Sequence, residues 1–386
     1  MYDLTSEQSA VVARSREVAR TQIAPHAVRV DETCCFPSES VRGLGEAGLL
    51  GLTIPSNYGG MGQELRVVPA VVEEIARECA STAMIYMMHL CGVACYLSAP
   101  QKPQGALRQA AAGRHLSTLA FSEKGSRSHF WAPVSQALRI GKNGKISLSA
   151  EKSWVTSAGY ADGYVVSTRW ENGTAPTESM LYLVLRDDPG IKVSGSWNSL
   201  GMRGNQSAPM RLDGLVIDEK ERALCEAGKG FDMMLAATLP PFHSCQAAIA
   251  LGICEASIAA TQSHLTGSVF QHLQSRLCDL PNLRAQLAKM RLFTDRLRAH
   301  VVSTLDAIEA SRANAQELLL EIKASATETA IEVTDLAMRS CGGAAFSKHL
   351  GIERHFRDAR AGAVMSPTTD QVYDFVGRGM CGMDLF

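Results

Sequence analysis

Leu138-Arg139-Ile140, Asn143-Gly144 and Ile146-Ser147-Leu148 lie together near the middle of the chain, and their reading sets the architecture. Apolar and polar residues alternate on both sides of an Asn-Gly pair, the strongest short-range signal for a β-hairpin. The same period of two continues through Tyr164-Val165-Val166-Ser167-Thr168, Leu181-Tyr182-Leu183-Val184-Leu185 and Met210-Arg211-Leu212. These runs predict an antiparallel β domain over residues 117–227.

On either side the period becomes helical. In residues 1–116, Thr5 and Gln8 have capping-box spacing, and Val11, Val12, Val18, Ile23 and Ala24 recur at helical intervals. The turn-rich stretch from Pro55 to Gly62 interrupts the pattern. In residues 228–386, Leu283, Leu287, Met290, Leu297, Val301, Leu305 and Ile308 form one stripe behind Pro281. A further helix is expected from about Ala315 to Arg339, stopped by Gly342-Gly343. Long striped helices with short connections predict a bundle. The expected fold class is therefore α+β multidomain: a helical domain over 1–116, the β domain, and a helical bundle over 228–386.

Composition bounds the function. Hydrophobic residues make up 46 % of the 386 and charged residues 20 %, with a formal net charge of −1. That balance gives no basic excess for nucleic acid and no Lys/Arg-rich face for a membrane surface. No stretch is expected to approach the ~20 apolar residues that span a bilayer. Asp3 and Glu7 stand where a signal peptide would be basic, so a cytoplasmic location is expected. The 11 cysteines include no C-x-x-C pair and no zinc-like spacing, so reduced thiols and no metal are expected. Gly43-Leu44-Gly45-Glu46-Ala47-Gly48 matches the dinucleotide fingerprint in spelling only. No buried strand precedes it, and without one the motif cannot present a phosphate cradle.

Five further motifs carry a resemblance. Leu50-Gly51-Leu52-Thr53-Ile54-Pro55 is followed by Tyr58-Gly59-Gly60-Met61-Gly62. Phe121-Ser122-Glu123-Lys124-Gly125-Ser126-Arg127-Ser128 precedes Lys152-Ser153-Trp154-Val155-Thr156-Ser157. Leu200-Gly201-Met202-Arg203-Gly204 comes next, and Cys341-Gly342-Gly343 together with Arg357-Asp358-Ala359-Arg360 makes the last. In this order and spacing, along nearly the whole chain, the sequence resembles the acyl-CoA dehydrogenase family. The resemblance implies that the bundle has four helices and that FAD lies between it and the β domain. A neighbouring subunit of a homodimer or homotetramer would complete that site.

In the site that the resemblance implies, Trp154 would offer a flat surface for the flavin ring, and Ser122 and Thr156 would offer hydrogen bonds to its polar edge. The resemblance adds Phe121, Ser128, Phe270, Gly342, Gly343, Thr368 and Asp370 as cofactor contacts. It implies oxidation of an acyl thioester, on CoA or an acyl-carrier protein, by α,β-dehydrogenation.

The departures concern the base. The family's usual glutamate falls at Ser366, and its alternative site falls near Pro241; neither residue is a carboxylate. Both positions belong to the expected substrate pocket. Asp370 and His243 are the remaining acid–base candidates. Phe242 stands where a CoA-contacting arginine is usual, and the arginine expected ahead of Phe270 is missing. Two other readings therefore stay open: a flavin oxygenase on the same fold, acting on a CoA ester or small aromatic substrate, and a non-catalytic scaffold.

Overall fold

Thr5 opens the first helix by accepting the Gln8 N–H, while the Gln8 side chain accepts the Thr5 N–H. The computed structural model describes residues 2–127, 129–141 and 143–384. Six helices follow in the amino-terminal part: α1 (Ser6–Val18), α2 (Ala24–Thr33), α3 (Ser38–Glu46), α4 (Val67–Glu78), α5 (Ala80–Ser98) and α6 (Gln104–Ala111). Gly43 and Gly45 of the false fingerprint belong to α3, and Gly48 follows it at φ +73°. A Cβ on Gly45 would lie 2.7 Å from the Gly113 carbonyl oxygen, so glycine there serves close backbone packing.

Seven strands follow: β1 (Ser117–Ala120), β2 (Gln136–Ile140), β3 (Lys145–Val155), β4 (Gly163–Arg169), β5 (Ser179–Leu185), β6 (Ile191–Val193) and β7 (Ala208–Asp218). Their order is β1-β4-β2-β3-β7-β6, with β5 on β4. The sheet is mixed, which corrects the purely antiparallel expectation: β1 runs parallel to β4, and Gln136 pairs in parallel with Arg169. Side-chain alternation reports that a strand exists and not which way it runs. The β2–β3 hairpin forms, but Ile140 pairs with Lys145, so its connection has four residues. Gly141 and Gly144 both take positive φ there.

The remaining elements are α7 (Glu219–Arg222), α8 (Gly230–Met233), α9 (Leu239–Gly267), β8 (Val269–Phe270), β9 (Ser275–Arg276), α10 (Pro281–Glu309), α11 (Ala315–Cys341), α12 (Gly343–Phe346), α13 (Ile352–Asp358), α14 (Ala361–Val364) and α15 (Thr369–Met380). Helices α9, α10, α11 and α15 make the four-helix bundle. Ala80–Ser98 and Gly230–Gly267 are long and apolar enough to cross a membrane, contrary to expectation, but 83 % and 78 % of their apolar windows are buried in the fold. These are core helices by burial. A Cβ on Gly252 would meet the Ala76 Cβ at 2.6 Å, so α9 rests directly on α4.

Charged bonds tie the parts together. Arg298 on α10 holds Glu73 of α4 at 2.5 Å and Glu255 of α9 at 2.7 Å, and Tyr2 donates to Glu73. The β domain meets α13 through the Met202 N–H, which donates to the Asp358 carboxylate. Arg357 spans Asp31 at 2.6 Å and Glu353 at 2.7 Å and also donates to the Leu200 carbonyl. Trp131 packs edge-on to Phe375 of α15, 5.7 Å between centroids. The Arg357–Asp358 run is thus one of the joints between domains.

Candidate functional site

Strand β3 alternates, and its last turns deliver three different side chains. Lys152 points inward, 1 % exposed, and its Nζ lies 2.5 Å from Glu123 Oε1 and from the Ser167 carbonyl. Glu123, 2 % exposed, also accepts the Val134 and Ser135 N–H groups at 2.7 and 3.0 Å. Burial alone raises the Glu123 carboxyl. The Lys152 charge and these hydrogen bonds outweigh burial and hold the carboxyl below its ordinary range. Burial pulls Lys152 down, and Glu123 opposes that pull. The pair fixes the loop of residues 121–135 to the strand, and the Ser153 N–H adds a 2.8 Å bond to the Ser122 carbonyl.

Two residues on, Trp154 turns outward and is 67 % exposed. Its φ of +55° is costly for an aromatic residue, and outliers of this kind cluster at ligand sites. Trp197 meets its edge at 5.9 Å, steadied by its own indole N–H on the Met202 carbonyl. Thr156 is buried and its hydroxyl is shared with Ser207 at 2.9 Å. Ser122 is half-buried, and Phe121 lies in the core. Ser122, Trp154 and Thr156 thus lie on neighbouring backbone, but Trp154 faces solvent while Thr156 is buried.

The other sequence candidates lie on the bundle. Gly342 ends α11 at φ +55°, and a Cβ there or on Gly343 would meet nothing within 4 Å. Phe270 sits in the β8–β9 hairpin against His272. Thr368 caps α15, its hydroxyl oxygen accepting the Gln371 N–H at 3.3 Å; Asp370 is exposed in the first turn that follows. Ser366 is half-buried just before that helix, and Pro241 is partly buried at the start of α9. Ser128 lies outside the described residues.

His243 is not a base at neutral pH, which corrects its candidacy. It is fully buried, its Nδ1 bonds the Leu319 carbonyl at 2.8 Å, and burial pushes its pKa down to about 3. Sequence reasoning missed Lys323, also fully buried, which donates to the Gly362 carbonyl at 3.0 Å. The signal was its place on a helix face with Leu319, Ile322 and Ala326 as buried neighbours. Among the described residues, no group of three or more His, Cys, Asp or Glu is placed to hold a metal ion.

An outward indole on the β domain and bare glycine backbone on the bundle are surfaces that a large flat dinucleotide can approach. The comparisons agree. Models of the acyl-CoA dehydrogenase N-terminal, middle and C-terminal domains match residues 5–105, 118–215 and 228–380. A probable acyl-CoA dehydrogenase of Bacillus subtilis, YngJ, is 27 % identical, covering 93 % of this chain and 94 % of that protein. The solved butyryl-CoA dehydrogenase of Megasphaera elsdenii superposes with a TM-score of 0.91 at 21 % identity, over 98 % and 99 % of the two chains. The prolyl acyl carrier protein oxidase AnaB superposes at 0.86 with 17 % identity over the same shares.

The fold and site define a three-domain flavoprotein. The chain belongs to the acyl-CoA dehydrogenase family, an FAD-dependent oxidoreductase of acyl thioesters.

Proposed function

We propose that this enzyme removes two hydrogens across the α,β bond of a small acyl thioester carried on CoA or on a carrier protein. The observation that carries this reading is the outward Trp154, braced by Trp197 and anchored two residues from a buried ion pair. A scaffold has no use for a strained, solvent-facing indole so firmly held. When bound, FAD supplies the acceptor for the hydride that leaves the β-carbon.

The chain's residues position the rest. Trp154 offers the stacking face, and the Ser122–Ser153 backbone bond fixes the loop beside it. The segment through Ser366 holds the place where the family carries its base. A serine hydroxyl does not take up the α-proton at neutral pH. Asp370, exposed and four residues on, is the carboxylate this segment offers for it.

The empty base positions at Ser366 and Pro241 favour a second reading, an oxygenase on the same fold, which needs no carboxylate there. Phe242, in place of the usual CoA-contacting arginine, supports a carrier-bound thioester. Cytoplasmic location and homo-oligomeric assembly belong to the same reading. The test is to supply small acyl thioesters on pantetheine, CoA and carrier protein, with and without ¹⁸O₂. Enoyl product free of ¹⁸O supports dehydrogenation; ¹⁸O in a product formed only in air replaces it with oxygenation.

A further inference from the structure

Lys323 lies on α11 with no exposed surface and, among the described residues, no carboxylate within ion-pair distance. Fully buried lysines are almost always paired, because moving an ammonium out of water costs several kcal/mol, on the order of the figure for any buried ion. Its hydrogen bond goes to the Gly362 carbonyl at 3.0 Å. Gln246, from α9, directs its amide nitrogen at the same oxygen from 3.5 Å and approaches Met365 Sδ at 3.9 Å. Two helices thus grip one carbonyl.

The grip is built into the backbone. A Cβ on Gly362 would lie 2.7 Å from Thr327 Oγ1, one turn beyond Lys323, so the segment is pressed against α11. Gly362 belongs to α14, which ends two residues before Ser366. The titratable neighbours are few. Asp370 of α15 favours the Lys323 charge, and His243 of α9 is buried and neutral.

We infer that Lys323 and Gln246 are positioning residues, which hold the Gly362 carbonyl and thereby set Ser366 and its segment against the thioester. This rests on the substrate-side role given to Ser366 above. The charged ammonium is the stronger donor. Burial, opposed by Asp370, draws Lys323 down to about 7, so the grip slackens as pH rises through neutrality.

The test uses FAD-loaded protein with Lys323→Met, Lys323→Arg and Gln246→Leu variants. Lys323→Met is expected to lower kcat at least tenfold with KM nearly unchanged, to keep its flavin, and to melt no lower than wild type. A merely structural lysine would lower the melting temperature instead. Wild-type kcat is expected to fall above pH 7, whereas Lys323→Arg, always charged, recovers most activity and loses that fall. Gln246→Leu is expected to lose several-fold in kcat, and it covers the case in which Lys323→Met does not fold.

Amide hydrogen exchange over residues 361–366 reads the grip without turnover. Faster exchange in Lys323→Met or Gln246→Leu, or in wild type at pH 8 compared with pH 6 after correction for intrinsic rates, supports it. Unchanged exchange in the folded variants overturns it. Slowed exchange with no thioester oxidised by wild type sinks the proposed function and the grip together; faster exchange with no oxidation sinks the proposed function alone.

Discussion

Lys152 and Glu123 meet at 2.5 Å with both side chains shielded from water, and Trp154 stands two residues further along the same strand. The pair couples the 121–135 loop to β3, so the direction of the indole depends on a charge contact that solvent does not screen. Breaking one partner leaves the other as an uncompensated buried charge, at a cost of about 3–5 kcal/mol. Lys152→Met and Glu123→Gln are each expected to lower stability by that order in urea unfolding. The double variant is expected to lose less than the two singles combined, because removing both charges leaves none stranded.

Trp154 is exposed, so its truncation uncovers little core. Trp154→Ala is expected to change stability by less than about 1 kcal/mol, while FAD affinity falls at least tenfold. Equilibrium dialysis with absorbance of the retained flavin measures it. Full flavin retention would mean that the indole does not carry the ring.

Acid stability follows from neutral histidines, three of them buried and His355 half-buried. Burial lowers His243 and His355 to about 3, and His89 and His115 to about 4. Unfolded histidines titrate near 6.5, so between those values the unfolded chain binds more protons and stability falls as pH drops. Asp358 acts oppositely: burial raises it to about 6, so it favours the folded state as pH falls toward 4. Four groups outweigh one. The melting temperature is expected to drop steadily from pH 6.5 to 4, and His355→Asn is expected to flatten that drop.

Arg357 bridges Asp31 and Glu353 by paired N–H groups and also reaches the Leu200 carbonyl. Lysine keeps the charge and loses the fork. Arg357→Lys is expected to lower stability by about 2 kcal/mol, in the range of hydrogen bonds to charged groups. Limited proteolysis in the loop between β6 and β7 is expected to quicken with it.

Much of this architecture was legible in the residues. Alternation found the strands, stripes such as Leu297, Val301 and Leu305 found the bundle helices, and Thr5 with Gln8 marked a true cap. Strand direction was not legible, because the β1–β4 pairing joins residues far apart in the chain. Asn143-Gly144 marked the hairpin but not its four-residue length. Trp154 stands out in the sequence by residue type and motif, whereas its exposure and positive φ are tertiary facts. His243 was misread since nothing local reports that Leu319 takes its ring. Lys323 was missed because its burial comes from the packing of α9 and α14 against α11.

On the proposed function, the sheet and bundle together hold FAD where it takes hydrogens from an acyl thioester. Anaerobic mixing of FAD-loaded protein with small acyl thioesters, followed by the visible flavin band, tests it most directly. Bleaching with release of an enoyl thioester is the expected result. A flavin that keeps its colour without oxygen against every thioester offered would contradict it.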